Sequence, residues 1–290
     1  MNLYFAKVQK WEYTNPLATV CNHFLVPGFL INSVPKSGTH LLAKIMALFP
    51  GIRALGFDIR APWWTYVKQP ADSEVPTVSF GVEWPRPAPL SVVRQSFQLL
   101  TSKSGRFAMM HLLFSEGLAN LFSEIGITSL LILRDPRDVV VSHVNFALRP
   151  PHRLSGHYQK LSDHERIMTS IVGVDPVLLN ISDRYRRVLP WCSQPFNYTT
   201  FFEKLIGPQG GGSYTTQIEE LTNITRHMGL RYGSRDIDRV AKQVFGGTGT
   251  FRKGVIGDWR NHFSEEHKRV FKELAGQLLI DLGYERDDDW

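Results

Sequence analysis

The chain has 290 residues, of which 43% are hydrophobic and 21% charged, and without a linker or repeat this composition predicts one α/β domain over residues 1–290. The net charge of +6 favours an anionic partner, but the Lys and Arg residues are dispersed, which argues against a nucleic-acid-binding protein. Two cysteines, no signal-peptide pattern and no apolar run of about 20 residues lead us to expect a cytoplasmic protein that does not enter a membrane.

The first predicted element is a strand over Phe29–Val34 that runs into a tight loop and then a helix. In the loop, Gly38 allows close approach of a ligand, and the N–H groups at the helix start favour a phosphate. Lys36, Ser37 and Thr39 add a cation and two hydroxyls. An ordinary strand-to-helix turn is the alternative interpretation of these residues alone.

The second predicted strand, Phe107–Leu113, contains one histidine, His111. A single histidine among apolar residues is more often a hydrogen-bonded core residue than a catalyst. His111 nevertheless falls where the strand should end, and ligands of open α/β sheets bind beyond the carboxyl ends of strands.

The third predicted strand, Ser129–Leu133, leads into a helix for which Asp135 is the expected N-cap. Arg134, Asp138 and Ser142 are spaced by four residues and therefore share roughly one helical face. An arginine and a hydroxyl on one face could bind a terminal phosphate, whereas a salt-bridged helix start is the alternative.

These three strand ends carry Lys36, His111 and Arg134. A parallel sheet would bring the three residues to one edge, so the sequence predicts a site there. Near the C-terminus, the segment Thr250–Trp259 contains Arg252 and Lys253 between glycines and aromatic residues, and we expect a loop that folds over an anion.

The pattern resembles the cytosolic-type sulfotransferases that use 3′-phosphoadenosine 5′-phosphosulfate (PAPS), in particular bacterial members. The resemblance rests on three motifs in the family's order, together with the position of His111: Pro35–Thr39, Arg134–Ser142 and Phe251–Gly254 followed by Gly257–Phe263. It implies a single α/β domain with a central parallel sheet flanked by helices and a P-loop-like phosphosulfate-binding loop.

The resemblance also implies roles for individual residues. Lys36 would stabilise charge on the bridging oxygen of the phosphosulfate, and His111 would take the proton from the acceptor hydroxyl. The 5′-phosphate would be held by the loop residues Ser37, Gly38, Thr39 and His40. The 3′-phosphate would be held by Arg134, Ser142, Arg252, Lys253 and Gly254. PAP would be the product, and no metal would take part.

Some positions depart from the family's pattern. His40 and Leu41 stand where the family often has threonine and a tryptophan that stacks on adenine, so Leu41 would give weaker stacking. Phe202 stands near the place of a common tyrosine. The threonine–valine dimer motif of animal members is absent, which leaves the oligomeric state open.

The acceptor is expected to be a small hydroxylated metabolite, with O- and N-sulfation both open. The resemblance places the acceptor loops around residues 57–105 and 146–165. Their aromatic and acidic candidates are Trp63, Trp64, Tyr66, Phe80, Trp84, Asp58, Asp72, Glu74 and Glu83.

Two other functions remain as alternatives. A P-loop kinase of a small metabolite would need a lysine after the loop's last glycine, whereas Lys36 precedes Gly38. A nucleotide-binding protein that has lost catalysis is the second alternative, and the presence of both Lys36 and His111 argues against it.

Overall fold

The computed structural model describes residues 26–56, 77–82, 86–248 and 251–290. Its strands are β1 (Phe29–Ser33), β2 (Arg53–Ala54), β3 (Thr77–Phe80), β4 (Arg86–Pro89), β5 (Arg106–Met110), β6 (Ser129–Leu133) and β7 (Asn197–Phe201). Five of them form one parallel sheet in the order β2-β5-β1-β6-β7, and β3 and β4 form an antiparallel hairpin. The predicted α/β fold with a central parallel sheet is confirmed.

Eleven α-helices occur in the described ranges: α1 (Thr39–Leu48), α2 (Leu90–Thr101), α3 (Glu116–Ile125), α4 (Pro136–Ala147), α5 (Ser155–Tyr158), α6 (Asp163–Val172), α7 (Ile181–Arg186), α8 (Phe202–Leu205), α9 (Tyr214–His227), α10 (Ser234–Ala241) and α11 (Glu265–Asp281). Short 3₁₀ turns occur at Leu189–Ser193, Pro208–Gly210 and Asp258–Asn261. None of the helices in these ranges is long and apolar enough to span a membrane.

Alternate side chains of each strand point to opposite faces of the sheet, and both faces are apolar. In β1, Phe29 and Ile31 pack on the side of α1, α9 and α10, whereas Leu30 packs on the side of α2, α3 and α11. All three side chains are buried. A sheet that is covered by helices on both faces leaves its strand ends as the place for a ligand.

The order of the strands decides which residues meet. Strand β1 lies between β5 and β6, so the segments that follow these three strands are neighbours at one edge. The hairpin is fixed against this edge, because the Gly81 N–H donates to the His111 carbonyl at 3.1 Å. The predicted meeting of the three strand ends is confirmed.

Candidate functional site

A cavity of about 620 Å³ opens at this edge of the sheet. Its described lining comes from residues 35–36, 38–41, 80–82, 110–112, 134, 138, 141–142, 145–146, 149–154, 177–178, 202, 206, 244, 246, 248, 251–255 and 258. Lys36, His111 and Arg134 are all among them, together with every other predicted site residue except Ser37.

The loop between β1 and α1 reverses direction sharply within three residues. Lys36 adopts a φ of 73°, which is uncommon for a residue with a side chain, and Gly38 adopts a φ of 116°. A Cβ at Gly38 would lie 2.9 Å from the Ile132 Cδ1 atom and 3.1 Å from the Phe202 Cδ2 atom. Only glycine fits this position, so the backbone of the loop can stand open to the cavity.

Ser37 is the predicted site residue that the structure places elsewhere. Its side chain is fully buried, and its hydroxyl lies 2.7 Å from the Val34 carbonyl oxygen and 2.8 Å from that of Ile132. Its N–H donates to the Val34 carbonyl as well. The Ser37 hydroxyl therefore ties the loop to the end of β1 and to β6 and is turned away from the cavity, and a role of Ser37 in binding the 5′-phosphate stays a prediction.

His111 lies just past the end of β5, half-buried, and its ring orientation is fixed by β1. The Nδ1 atom is 3.0 Å from the Ser33 carbonyl oxygen and 3.0 Å from the Ser33 hydroxyl. Because a carbonyl oxygen can only accept, the Nδ1–H tautomer satisfies this contact. Nε2 is then the basic nitrogen of His111, as a general base requires.

Two residues of β1 that the sequence reasoning missed connect His111 to the loop. The Ser33 hydroxyl is 2.6 Å from the Thr39 hydroxyl, at the start of α1. Asn32 pairs with the backbone of Leu112 through its amide, accepting at 2.7 Å and donating at 3.3 Å. Both side chains are buried and polar, which is the sequence signal that could have identified them.

Lys36 brings a positive charge close to Phe146 and His40. Its ammonium nitrogen lies 4.2 Å from the centre of the Phe146 ring on α4. Burial and the neighbouring Lys36 charge lower the pKa of His40 to about 4. His40 is therefore neutral at pH 7 and can offer an N–H or a lone pair but no charge.

Arg134 extends from the end of β6 along the cavity wall. Its Nη2 atom donates to the Val255 carbonyl at 2.9 Å and lies 3.4 Å from the Asp138 carboxylate. The guanidinium also lies over the Phe202 ring, 4.1 Å from its centre. Ser142 lies on the cavity side of α4, one turn beyond Asp138, as the spacing of four predicts.

The C-terminal segment brings two more cations to the cavity, and both contact one carboxylate. Arg252 and Lys253 lie 2.6 Å and 2.8 Å from the two oxygens of Asp258. Hydrogen bonds from these cations hold the pKa of Asp258 well below its usual range, although burial opposes this. Gly254 has a φ of 63°, and a Cβ there would collide with the Phe251 ring.

Asp138 joins the start of α4 to this segment. Its two carboxylate oxygens accept from the Gly257 N–H at 2.8 Å and from the Trp259 N–H at 2.9 Å. Burial raises the pKa of Asp138, whereas the Arg134 charge and the two backbone donors lower it, and the net direction is upward. The sequence placed Asp138 beside Arg134 but gave no indication of the backbone partners.

The described residues include part of the expected acceptor loops. Phe80 lines the cavity on the hairpin, and so do Phe146 and residues 149–154 after α4. The remaining aromatic and acidic candidates of residues 57–105 that were named above, from Asp58 to Trp84, lie outside the described residues. Val177 and Leu178 complete the apolar wall and were not predicted.

Comparison with known proteins gives one family. The family model for a sulfotransferase domain matches residues 27–172, just over half of the chain. Sulfotransferase 2A1 of Rattus norvegicus is 25% identical to the chain over 291 aligned positions, which cover 90% of this chain and 89% of the rat protein.

Solved structures share the fold at low sequence identity. Mouse sulfotransferase SULT7A1, complexed with PAP, aligns with a TM-score of 0.60 and 18% identity, covering 96% of this chain and 93% of the mouse chain. Retinol dehydratase in a complex with retinol and PAP aligns with a TM-score of 0.54 and 15% identity, covering 89% and 82%.

Proposed function

The chain belongs to the sulfotransferase domain family, and from this premise we propose that it transfers a sulfuryl group from PAPS to the hydroxyl of a small-molecule acceptor and releases PAP. The observation that carries the proposal is the meeting of Lys36, His111 and Arg134 in one cavity at adjacent strand ends. Mouse sulfotransferase SULT7A1 was solved with PAP, and we carry this ligand over to the present chain.

The chain's residues suit the nucleotide. The open loop around Gly38, in which a Cβ would not fit, offers backbone N–H groups at the start of α1 for the 5′-phosphate. Thr39 and His40 line the same part of the cavity, with Leu41 beside them. Arg134, Ser142 and the segment Arg252–Gly254 would hold the 3′-phosphate.

The chemical step requires one base and one cation. His111 Nε2 would remove the proton from the acceptor hydroxyl as the acceptor oxygen bonds to sulfur. The bond between sulfur and the bridging oxygen breaks, and Lys36 would stabilise the negative charge that forms on that oxygen. The Ser33 carbonyl, which accepts from Nδ1–H, would favour the protonated imidazole that results.

The proposal includes no divalent metal, because Lys36 supplies the positive charge at the reacting group. It also places the chain in the cytoplasm, where its two cysteines would stay reduced. A P-loop kinase is not favoured, since the family match is to sulfotransferases and the lysine precedes the loop's glycine.

The test replaces His111 with alanine and measures turnover with radiolabelled PAPS against a library of phenols and alcohols. We expect turnover to fall by about 100-fold. The stabilisation of the protein by PAP in a thermal melt should stay as in the wild type, because His111 contacts the acceptor rather than the nucleotide. EDTA should leave turnover unchanged.

His157→Ala is the matched control, since His157 is exposed and does not line the cavity. Its turnover should equal that of the wild type. A His111→Ala enzyme with a normal rate would show that another group is the base. A protein that AMP stabilises as well as PAP would refute the proposed nucleotide.

A further inference from the structure

Helix α4 lines the cavity along most of its length, from the nucleotide to the acceptor. Its cavity-facing positions are Asp138, Val141, Ser142, Asn145 and Phe146, which recur at the three- and four-residue spacing of one helical face. The helix begins beside Arg134 and the C-terminal segment. Its other end reaches the loop 149–154.

The three cations of the predicted 3′-phosphate site each have a carboxylate nearby. Arg134 is paired with Asp138, and Arg252 and Lys253 both contact Asp258. Within the described lining, Asp138 and Asp258 are the only acidic residues. Both therefore serve the nucleotide end.

The acceptor end, which we define as the lining from Phe146 to Leu154 with the hairpin residues 80–82, has a different charge balance. Arg149 lines the cavity there and makes no ion pair with a carboxylate of the described residues. Its backbone N–H still bonds the Phe146 carbonyl at 3.1 Å. Arg149 therefore lies about one helical turn, ~5 Å, beyond the residue whose ring Lys36 covers.

His152 adds a neutral donor beside Arg149. The Leu154 N–H donates to His152 Nδ1 at 3.2 Å, so Nε2 carries the ring hydrogen. Burial, followed by the charges of Arg153 and Lys36, lowers the pKa of His152 to about 4. Arg153 also lines this end, where its guanidinium donates to the Val177 carbonyl. The Arg149 guanidinium and the His152 N–H both suit an anionic oxygen.

We infer that the acceptor carries an anionic oxygen group, a carboxylate or a sulfate ester, which Arg149 binds while the hydroxyl to be sulfated faces His111. The inference rests on the proposed function and narrows its substrate class. An acceptor with an ammonium group would meet the Arg149 guanidinium, which makes no ion pair with the described residues, and should be disfavoured.

The test compares acceptors of similar size that differ chiefly in charge. One series is 3-(4-hydroxyphenyl)propionate, its methyl ester and tyramine, and the second is 6-hydroxyhexanoate, its methyl ester and 6-aminohexanol. For the wild type we expect kcat/KM to be about tenfold or more higher for the acid than for the ester, since hydrogen bonds to charged groups contribute that much. The preference should shrink as salt is raised.

Arg149→Gln should abolish the preference for the acid while leaving the KM for PAPS unchanged. Arg235→Gln is the matched control, because Arg235 is an exposed arginine that does not line the cavity. It should retain the preference. If a series shows no turnover, the same three compounds are titrated by calorimetry into the protein saturated with PAP, and the acid should bind tightest.

An ester or amine that reacts and binds as well as the acid would overturn the inference. So would a preference for the acid that survives in Arg149→Gln, or a failure of all six compounds to react or bind. Failure of the proposed function gives a different result, because PAP would then not stabilise the protein in a thermal melt.

Discussion

Replacing Asp138 tests whether the nucleotide end of the cavity depends on the link between α4 and the C-terminal segment. Asp138 is buried and accepts from the Gly257 and Trp259 N–H groups, with Arg134 at 3.4 Å. Asp138→Ala removes both acceptors at once. The Trp259 N–H is then left buried and unpaired, and the Gly257 N–H partly so.

The expected loss in the free energy of unfolding follows from these two N–H donors. An unsatisfied buried donor costs about 1–3 kcal/mol, and the Gly257 N–H recovers part of its loss by contact with water. Burial raises the pKa of Asp138, which means that removing its charge returns some free energy. We expect a net loss of about 2–4 kcal/mol in the free energy of unfolding. That is large against a typical total of about 5–15 kcal/mol.

Asparagine does not repair this site, because its carbonyl can replace one carboxylate oxygen while its NH₂ group faces the second backbone donor. Asp138→Asn should therefore lose about 1–3 kcal/mol. Affinity for PAP should fall in both variants, since the turn that Asp138 holds directly follows the segment Arg252–Gly254.

Calorimetric melts with and without PAP measure both effects. Asp163→Asn is the charge-matched control, because Asp163 forms an exposed ion pair with Arg166, and such pairs contribute about 1 kcal/mol or less. If Asp138→Asn melted within a degree of the wild type and bound PAP normally, the backbone contacts of Asp138 would not be what holds the segment.

Two further predictions concern the phosphate loop. Lys36→Ala should lower turnover and PAP affinity together, in contrast to His111→Ala, and steady-state kinetics with a PAP titration separate the two patterns. The pKa of His40 is about 4 in the folded protein against 6.5 for an ordinary histidine, so the unfolded chain takes up more protons between these values. The stability that His40 contributes should be present above pH 6.5 and lost as the pH falls through 4, and melts of His40→Gln across this range should show a smaller slope.

The sequence was sufficient for the parts of the site that depend on local pattern. Strands β1, β5 and β6 are short apolar runs, and the residues that follow each run carry the chemistry. Parallel pairing then brings Lys36, His111 and Arg134 together without knowledge of any side-chain contact. The N-cap of α4 was predictable for the same reason, since Asp135 accepts from the Arg137 N–H two residues away.

Other features depend on partners far apart in the chain or on backbone angles. Asp138 finds its donors about 120 residues later, and Ser33 meets His111 78 residues later. Neither pairing produces a periodic pattern in the sequence from which it could be predicted. The orientation of Ser37 has a local cause, because the positive φ values of Lys36 and Gly38 on either side turn the Ser37 side chain beneath the loop. Residue types alone do not reveal such a turn.

The two ends of α4 are held differently, and this difference bears on how the cavity can change. At the first end, the fully buried Arg137 lies against the rings of both Trp259 and Trp290, and it pairs with Asp135 at 2.8 Å and with Glu285 at 2.5 Å. Removing either carboxylate would leave a buried charge short of a partner, which is costly.

The segment that follows the far end of α4 carries an exposed side chain. Arg149 is exposed there, and its side chain forms no ion pair with the described residues, so its replacement leaves no buried charge behind. If Arg149 binds the acceptor as proposed, its substitution can alter which acceptor binds with little effect on folding, whereas substitution of Asp135 or Glu285 cannot avoid a cost in stability. With the binding sites as proposed, such changes would alter the acceptor while the buried contacts of Arg137 keep the start of α4 beside the sulfuryl donor.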